Sequence, residues 1–217
     1  MNESQQIQVI ELRNYLLKPD TRDRFSDYFA EHFVDSQKDL GGYVLGQFTV
    51  KDNEDNFFWI RGFENMQTRS KFLSAFYYGP VWKEFGQAAN EMMIDSDNVY
   101  LLKPLDELQI FRKKNALKID FYFAFDEKLN ELVNLFQTEY LPSMTNAEIG
   151  ETTLWLSELS ENDFPRLPAF QYENLLVVIR TFEKNAQLKD FDSANSELKG
   201  KIELLVCKQQ SLINYEI

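Results

Sequence analysis

The sequence predicts an α+β fold made of two tandem ferredoxin-like units, and three observations predict it. Hydrophobic periodicity runs in the order β-α-β-β-α-β twice along 217 residues, which is the ferredoxin-like pattern. Two short segments recur at corresponding places. Ile60-Arg61-Gly62-Phe63-Glu64 returns as Ile179-Arg180-Thr181-Phe182-Glu183, and Ile10-Glu11-Leu12 returns as Ile119-Asp120-Phe121; such repetition marks a duplicated supersecondary unit. Nineteen Phe, ten Tyr and three Trp, within 44% hydrophobic residues, supply apolar surface for one large core or two packed halves. The units are expected at 1–106 and 107–217.

Each element follows from local pattern. Residues 7–18 alternate, with Ile10, Leu12 and Leu16 on one face and Glu11, Arg13 and Tyr15 on the other, the period of a strand. Pro19–Asp20 turns the chain, and Thr21 or Asp20 can cap a helix over 22–40. That helix carries Phe25, Phe29, His32/Phe33 and Ser36 as its stripe and ends at Gly41–Gly42. Tyr43–Lys51 and Phe57–Phe63 read as a hairpin around an Asp/Asn-rich turn, Asp52 to Asn56. A helical region over 66–93 breaks at Gly79–Pro80, where proline lacks an amide and clashes with the preceding turn. Asn98–Lys103 completes the first unit. The second unit reads as strand Ala116–Phe125, helix 127–140, strands Thr152–Leu159 and Leu175–Phe182, helix 186–206 and strand Leu212–Ile217. Cys207 is placed just past the apolar end of that last helix, as a buried free thiol. Between the second unit's middle strands, Ser160 to Asn174 carries Phe164-Pro165-Arg166-Leu167-Pro168. A connection of that length is a lid or a segment packed across the other half, and packing is the expectation.

Charge excludes some function classes. Lys and Arg number 23 against 35 Asp and Glu, a formal net charge of −12. A nucleic-acid binder needs a basic face to neutralise phosphate, and the short run Arg112-Lys113-Lys114 does not make one, so nucleic acid is not expected as a partner. The same charge disfavours an anionic membrane surface. No apolar run approaches the ~20 residues that span a bilayer. The first residues lack a signal-peptide pattern, and a single cysteine forms no intramolecular disulfide. A cytoplasmic protein is expected.

Several segments resemble the NIPSNAP family. They are Glu11-Leu12-Arg13-Asn14-Tyr15 with Leu17-Lys18-Pro19, Glu31-His32-Phe33, Trp59-Ile60-Arg61-Gly62-Phe63, Phe76-Tyr77-Tyr78-Gly79-Pro80-Val81-Trp82-Lys83 and Asp97-Asn98-Val99. The resemblance covers nearly the whole chain, specific in the first half and looser in the second. It implies a pseudo-dimeric α/β barrel, in which two four-stranded sheets pack face to face with helices outside. Antibiotic-biosynthesis monooxygenases share that architecture, so the resemblance implies a small-molecule pocket without naming a substrate. Phe85 stands where related sequences often carry a second histidine, which weakens a two-histidine metal or haem site.

The candidate chemistry is sparse. The chain has no Gly-rich phosphate loop, nucleophile elbow or paired-cysteine site, and its one histidine does not build an imidazole metal centre; no cofactor is expected. His32 is a candidate general base because its ordinary pKa lies near neutrality, although a packing role suits its place beside Phe29 and Phe33. If the first and third strands are neighbours in register, Glu11, Arg13 and Arg61 form one cluster, with Tyr15 and Trp59 around it. Buried charges must pair or bind something. The cluster is then either an ion-paired network fixing how the halves dock, or an anion or carboxylate pocket with Arg13 and Arg61 binding and Glu11 as base. In the repeat, Arg13 becomes Tyr122 and Tyr15 becomes Ala124, so a pocket belongs to the first half. Tyr78 and Trp82 flank the Gly79–Pro80 break, as core or as ligand contacts. The expectation is a protein that binds a small organic or aromatic ligand, with homo-oligomerisation open, or a scaffold module without one.

Overall fold

The computed structural model describes residues 7–105, 116–144, 151–182 and 196–217. The first half runs β1 (Val9–Leu17), α1 (Arg22–Lys38), β2 (Tyr43–Val50), β3 (Asn53–Phe63), α2 (Met66–Tyr77), α3 (Pro80–Met92), a short β4 (Met93–Asp95) and β5 (Val99–Pro104). The second runs β6 (Ala116–Ala124), α4 (Leu129–Leu135), a π-helical turn (Phe136–Tyr140), α5 (Leu141–Ser143), β7 (Thr152–Ser157), β8 (Leu175–Phe182), α6 (Ser196–Glu203) and β9 (Val206–Glu216). The expected boundary at 106/107, the basic run Arg112-Lys113-Lys114 and the start of the last helix lie outside the described residues.

Both halves have the ferredoxin-like strand arrangement, and together they close a barrel. In the first half β1 lies between β3 and β5, and β2 flanks β3. In the second β6 lies between β8 and β9, and β7 flanks β8. The sheets then join at both edges, β2 with β9 (Thr49 opposite Tyr215) and β5 with β7 (Lys103 opposite Leu156). Because β1 also pairs with β3, the ring of strands is continuous, and closure leaves no open edge along it. The α+β pseudo-dimeric barrel is therefore the fold.

The alternation of β1 sorts its side chains into two cores. Ile10 and Leu12 enter the barrel interior with Phe58, Ile60, Phe121, Trp155, Val177 and Ile179. Val9 and Tyr15 point outward, into a layer shared with Phe25, Phe29 and Phe33 of α1 and Phe72 and Phe76 of α2. A third cluster packs Leu132, Phe136 and Tyr140 on the outer face of β6 and β8. Each fully buried apolar side chain contributes roughly 1.5–3 kcal/mol relative to exposure. The echoed Ile60 and Ile179 occupy the same interior cluster, as duplication requires.

Several boundaries differ from the sequence reading. The α1 stripe is Phe25, Phe29, Phe33 and Gln37, which leaves His32 and Ser36 at its margin. Thr21 makes no side-chain cap; its hydroxyl donates instead to the Lys18 carbonyl at 2.7 Å. Gly41 at φ 89° takes the left-handed conformation that ends the helix. The hairpin turn is only Lys51–Asp52, Asp52 adopting φ 60°, and Asn53 to Asn56 already pair as strand. Helices α2 and α3 do break at Gly79–Pro80, where a Cβ on Gly79 would lie 2.3 Å from the Ala75 carbonyl oxygen. The last helix stops at Glu203, and Cys207 lies exposed in β9, not buried beside a helix. Backbone pairing with β6, Ala124 opposite Val206 and Phe123 opposite Lys208, overrides the short apolar run that reads as helical. Leu16 is exposed at 38%, outside the barrel interior its alternation suggests.

Candidate functional site

The site is built on the outer face of β1 and β3, under α1 and α2. Antiparallel pairing sets Glu11 opposite Arg61 and Arg13 opposite Trp59. Residues of one parity share a face, so Glu11, Arg13, Tyr15, Trp59 and Arg61 all face the helices. The structure brings these five predicted residues together.

Glu11 is the hub. Its Oε2 accepts from Arg61 Nη2 at 2.6 Å, Arg61 Nε at 2.9 Å and Arg13 Nη1 at 2.9 Å, and its Oε1 accepts from Arg69 Nε at 2.7 Å. Arg61 Nη1 also donates to Gln37 Oε1 at 3.0 Å, and Arg13 Nε to the Tyr15 hydroxyl at 2.9 Å. Glu11 and the three arginines are each at most 1% exposed. Burial alone would push the Glu11 carboxyl up, but Arg61, Arg69 and Arg13 outweigh it and hold the group far below the usual carboxylate range. A carboxylate that acidic, with both oxygens occupied, is a weak proton acceptor; its work is to gather the arginines. Burial pushes the Tyr15 hydroxyl up, against Arg13, so it stays protonated. Burial would lower Arg13, but Tyr15 and Glu11 raise it.

Aromatic faces surround the cations. The Arg61 guanidinium lies 5.2 Å from the Trp59 ring, 5.0 Å from Phe72 and 5.5 Å from Phe63, distances at which ring quadrupoles stabilise positive charge. Beside Arg61 is a cavity of about 20 Å³, lined by Tyr15, Gln37, Trp59, Tyr77 and Trp82 among others. That is room for about one water. Trp59 is buried, and its Nε1 has no hydrogen-bond partner among the described residues.

Two predicted residues lie elsewhere. His32 stacks on Phe85 at 4.0 Å with rings nearly parallel and meets Tyr28 edge-on at 4.4 Å; it does not line the cavity. Tyr78 is 55% exposed and packs against Phe164 and the Arg166 guanidinium. Among the described residues no three of His, Cys, Asp and Glu gather as a metal site.

The connection between β7 and β8 reaches this site from the second half. Asn162 Oδ1 accepts from Arg69 Nη1 at 3.0 Å, and Asn162 Nδ2 holds the Leu167 carbonyl at 2.9 Å. Phe164 is buried in the first-half core against Tyr77. The segment is packed across the other half. Sequence reading missed Arg69, Gln37 and Asn162. The first two had a signal: each is a polar residue on an apolar helical stripe, Arg69 with Phe72, Leu73 and Phe76, and Gln37 with Phe25, Phe29 and Phe33. Asn162 had none, because it arrives through tertiary structure.

The duplication extends to the charge pair. Arg180 pairs with the buried Asp120, which also accepts from Ser211. The register has slipped, however: Glu11 is directly opposite Arg61, whereas Asp120 is opposite Val178 and Arg180 opposite Lys118. A two-residue slip keeps every side chain on its face, so the pair survives as a diagonal contact.

Comparison with known proteins agrees with the fold. The NIPSNAP family model matches residues 10–109. No curated protein matches at a significant level. A candidate monooxygenase from Fusobacterium nucleatum superposes with TM-score 0.65 at 11% identity, covering 97% of this chain and 93% of that one. A candidate monooxygenase from Lactobacillus acidophilus gives TM-score 0.62 at 12% identity over 96% and 93%. An anthrone oxidase-like protein gives 0.61 at 9% identity over 99% and 92%. These likenesses show the fold, both halves included. The match to the NIPSNAP family model falls on the first half of the chain, the half that holds the arginine cluster.

Proposed function

We propose that this protein binds a small aromatic molecule between the first-half sheet and its helices, at the cavity formed by Tyr15, Trp59, Arg61 and Trp82. The observation that carries the reading is Trp59, which lines an aromatic cavity and whose buried indole N–H has no hydrogen-bond partner among the described residues. A buried donor without an acceptor costs about 1–3 kcal/mol, and a ligand oxygen there removes that cost. The cavity as it stands accommodates one ligand atom rather than a ring. Entry therefore requires α3, whose Val81, Trp82 and Phe85 are only half-buried, to move off the sheet. The names of the fold neighbours make oxidation of the bound molecule by dioxygen the chemistry to test first; fold analogy supports that choice and no more.

The test is titration of the intact protein with aromatic acids, phenols and hydroxyquinones, read by tryptophan fluorescence, with an oxygen electrode on any ligand that binds. Saturable binding that weakens at least about tenfold in Trp82→Leu fits the site, since a lost aromatic contact of about 1.4 kcal/mol is tenfold in affinity. Absence of saturable binding, or binding indifferent to Trp82, overturns it. A second reading, a scaffold module whose arginine cluster only docks the halves, is favoured by the one-water size of the cavity and by the Arg69–Asn162 bond between halves.

A further inference from the structure

The buried cluster does not balance its own charge. Arg13, Arg61 and Arg69 contribute three positive charges and Glu11 one negative, a net of two, with all four side chains at most 1% exposed. Among the described residues no other carboxylate forms an ion pair with any of the three arginines. The groups that face the cluster are Glu11, Arg13 and Tyr15 of β1, Arg61 of β3, Arg69 and Tyr77 of α2, and the neutral Gln37 and Asn162. Glu161 and Asp163, on the connection that supplies Asn162, are exposed. One Arg69 nitrogen, Nη2, is buried without a hydrogen-bond partner among the described residues. A chain with formal charge −12 thus buries, among its described residues, an excess of two positive charges beside its aromatic cavity, which Arg61 lines. Uncompensated buried charge is costly, and an anion entering beside it removes part of that cost.

We propose that the cavity takes its ligand as an oxyanion: an aromatic carboxylate, or a phenol or enol bound in ionised form, with its charged oxygen against Arg61 and the Trp59 indole N–H. This deepens the ligand reading above and rests on it. The oxygen occupies the one-water space, and the ring extends along the aromatic wall formed by Phe33, Phe76 and Trp82. No side chain lining the cavity is suited to take a proton from the ligand. Glu11 is saturated by arginines, Tyr15 stays protonated and His32 lies outside the cavity. The ligand therefore binds already ionised, releasing any proton to solvent.

The test compares acids with neutral isosteres on the whole chain: 1-naphthoate with 1-naphthamide, benzoate with benzamide, and 4-nitrophenol with 4-nitroanisole, by calorimetry and thermal shift. The acids are expected to bind at least about tenfold tighter than their isosteres, and bound 4-nitrophenol is expected to show the yellow phenolate absorption at a pH where the free compound is mostly phenol. Arg69 does not line the cavity, so Arg69→Met is expected to weaken the acids by about tenfold or more, as one charge acting through a few ångströms of protein does, and to leave the amides unchanged. Arg69→Lys is expected to keep the preference. Equal binding of acids and isosteres overturns this proposal while the ligand site stands. Failure of every compound to bind overturns the site as well. Should Arg69→Met fail to fold, the matched pairs on the unaltered protein decide alone.

Discussion

At the scale of single residues, Glu11 is the most consequential group in the molecule. Among the described residues it is the only carboxylate holding three buried guanidiniums, so Glu11→Gln leaves them uncompensated. We expect destabilisation of about 3–5 kcal/mol, measured by denaturant unfolding. Its pH behaviour follows from the lowered pKa. Such a group contributes stability that is fully present above the unfolded value near 4.3 and is lost as pH falls toward the folded value. Carbon-13 NMR of labelled glutamate should therefore show one carboxyl still ionised at pH 3, and that resonance should vanish in Glu11→Gln. A Glu11 resonance titrating near 4.3 would remove the hub role. Much of this was legible in the sequence, because period-2 alternation put Glu11, Arg13 and Tyr15 on one face and strand order put Arg61 beside them. Arg69 and Gln37 were legible only as polar interruptions of apolar stripes, and their direction toward Glu11 depends on helix placement that no local pattern encodes.

At the scale of elements, the connection between β7 and β8 couples the halves. Its Asn162 Oδ1 accepts from Arg69, and its Phe164 is buried beside Tyr77. Phe164→Ala should cost about 3 kcal/mol or more. Asn162→Ala, which strips an acceptor from a buried arginine, should cost about 1–3 kcal/mol. Both should quicken proteolysis within 160–174; unchanged stability and cleavage would mean that the segment only rests on the surface. Elements with strong period or strong punctuation, such as β1, α1 and the Gly79–Pro80 break, could be read directly. The first half of β9 could not, since Cys207 to Ser211 is polar and exposed and is held by backbone bonds to β6.

At the scale of the whole molecule, one interior is shared by two sheets. Ile10, Leu12 and Ile60 of the first half pack with Phe121, Val177 and Ile179 of the second, so neither sheet can expose that face to water. Unfolding should be a single transition, with tryptophan fluorescence and far-ultraviolet circular dichroism coinciding; two separated transitions would show the halves to be independent. The tandem organisation was readable because the echoed isoleucines carry the duplication openly. The register slip in the second half was hidden, as a shift of two residues changes no face.

The same closed barrel supplies a control for the ligand site. Of the three tryptophans, Trp59 and Trp82 line the first-half cavity, while Trp155 belongs to the barrel interior, its Nε1 donating to Thr153 at 2.9 Å. Titration of indole-labelled protein with 1-naphthoate, followed by NMR, should move the Trp59 and Trp82 N–H resonances and leave Trp155 in place. Movement of Trp155 alone, or of no indole at saturating acid, would contradict a ligand site between the first sheet and its helices.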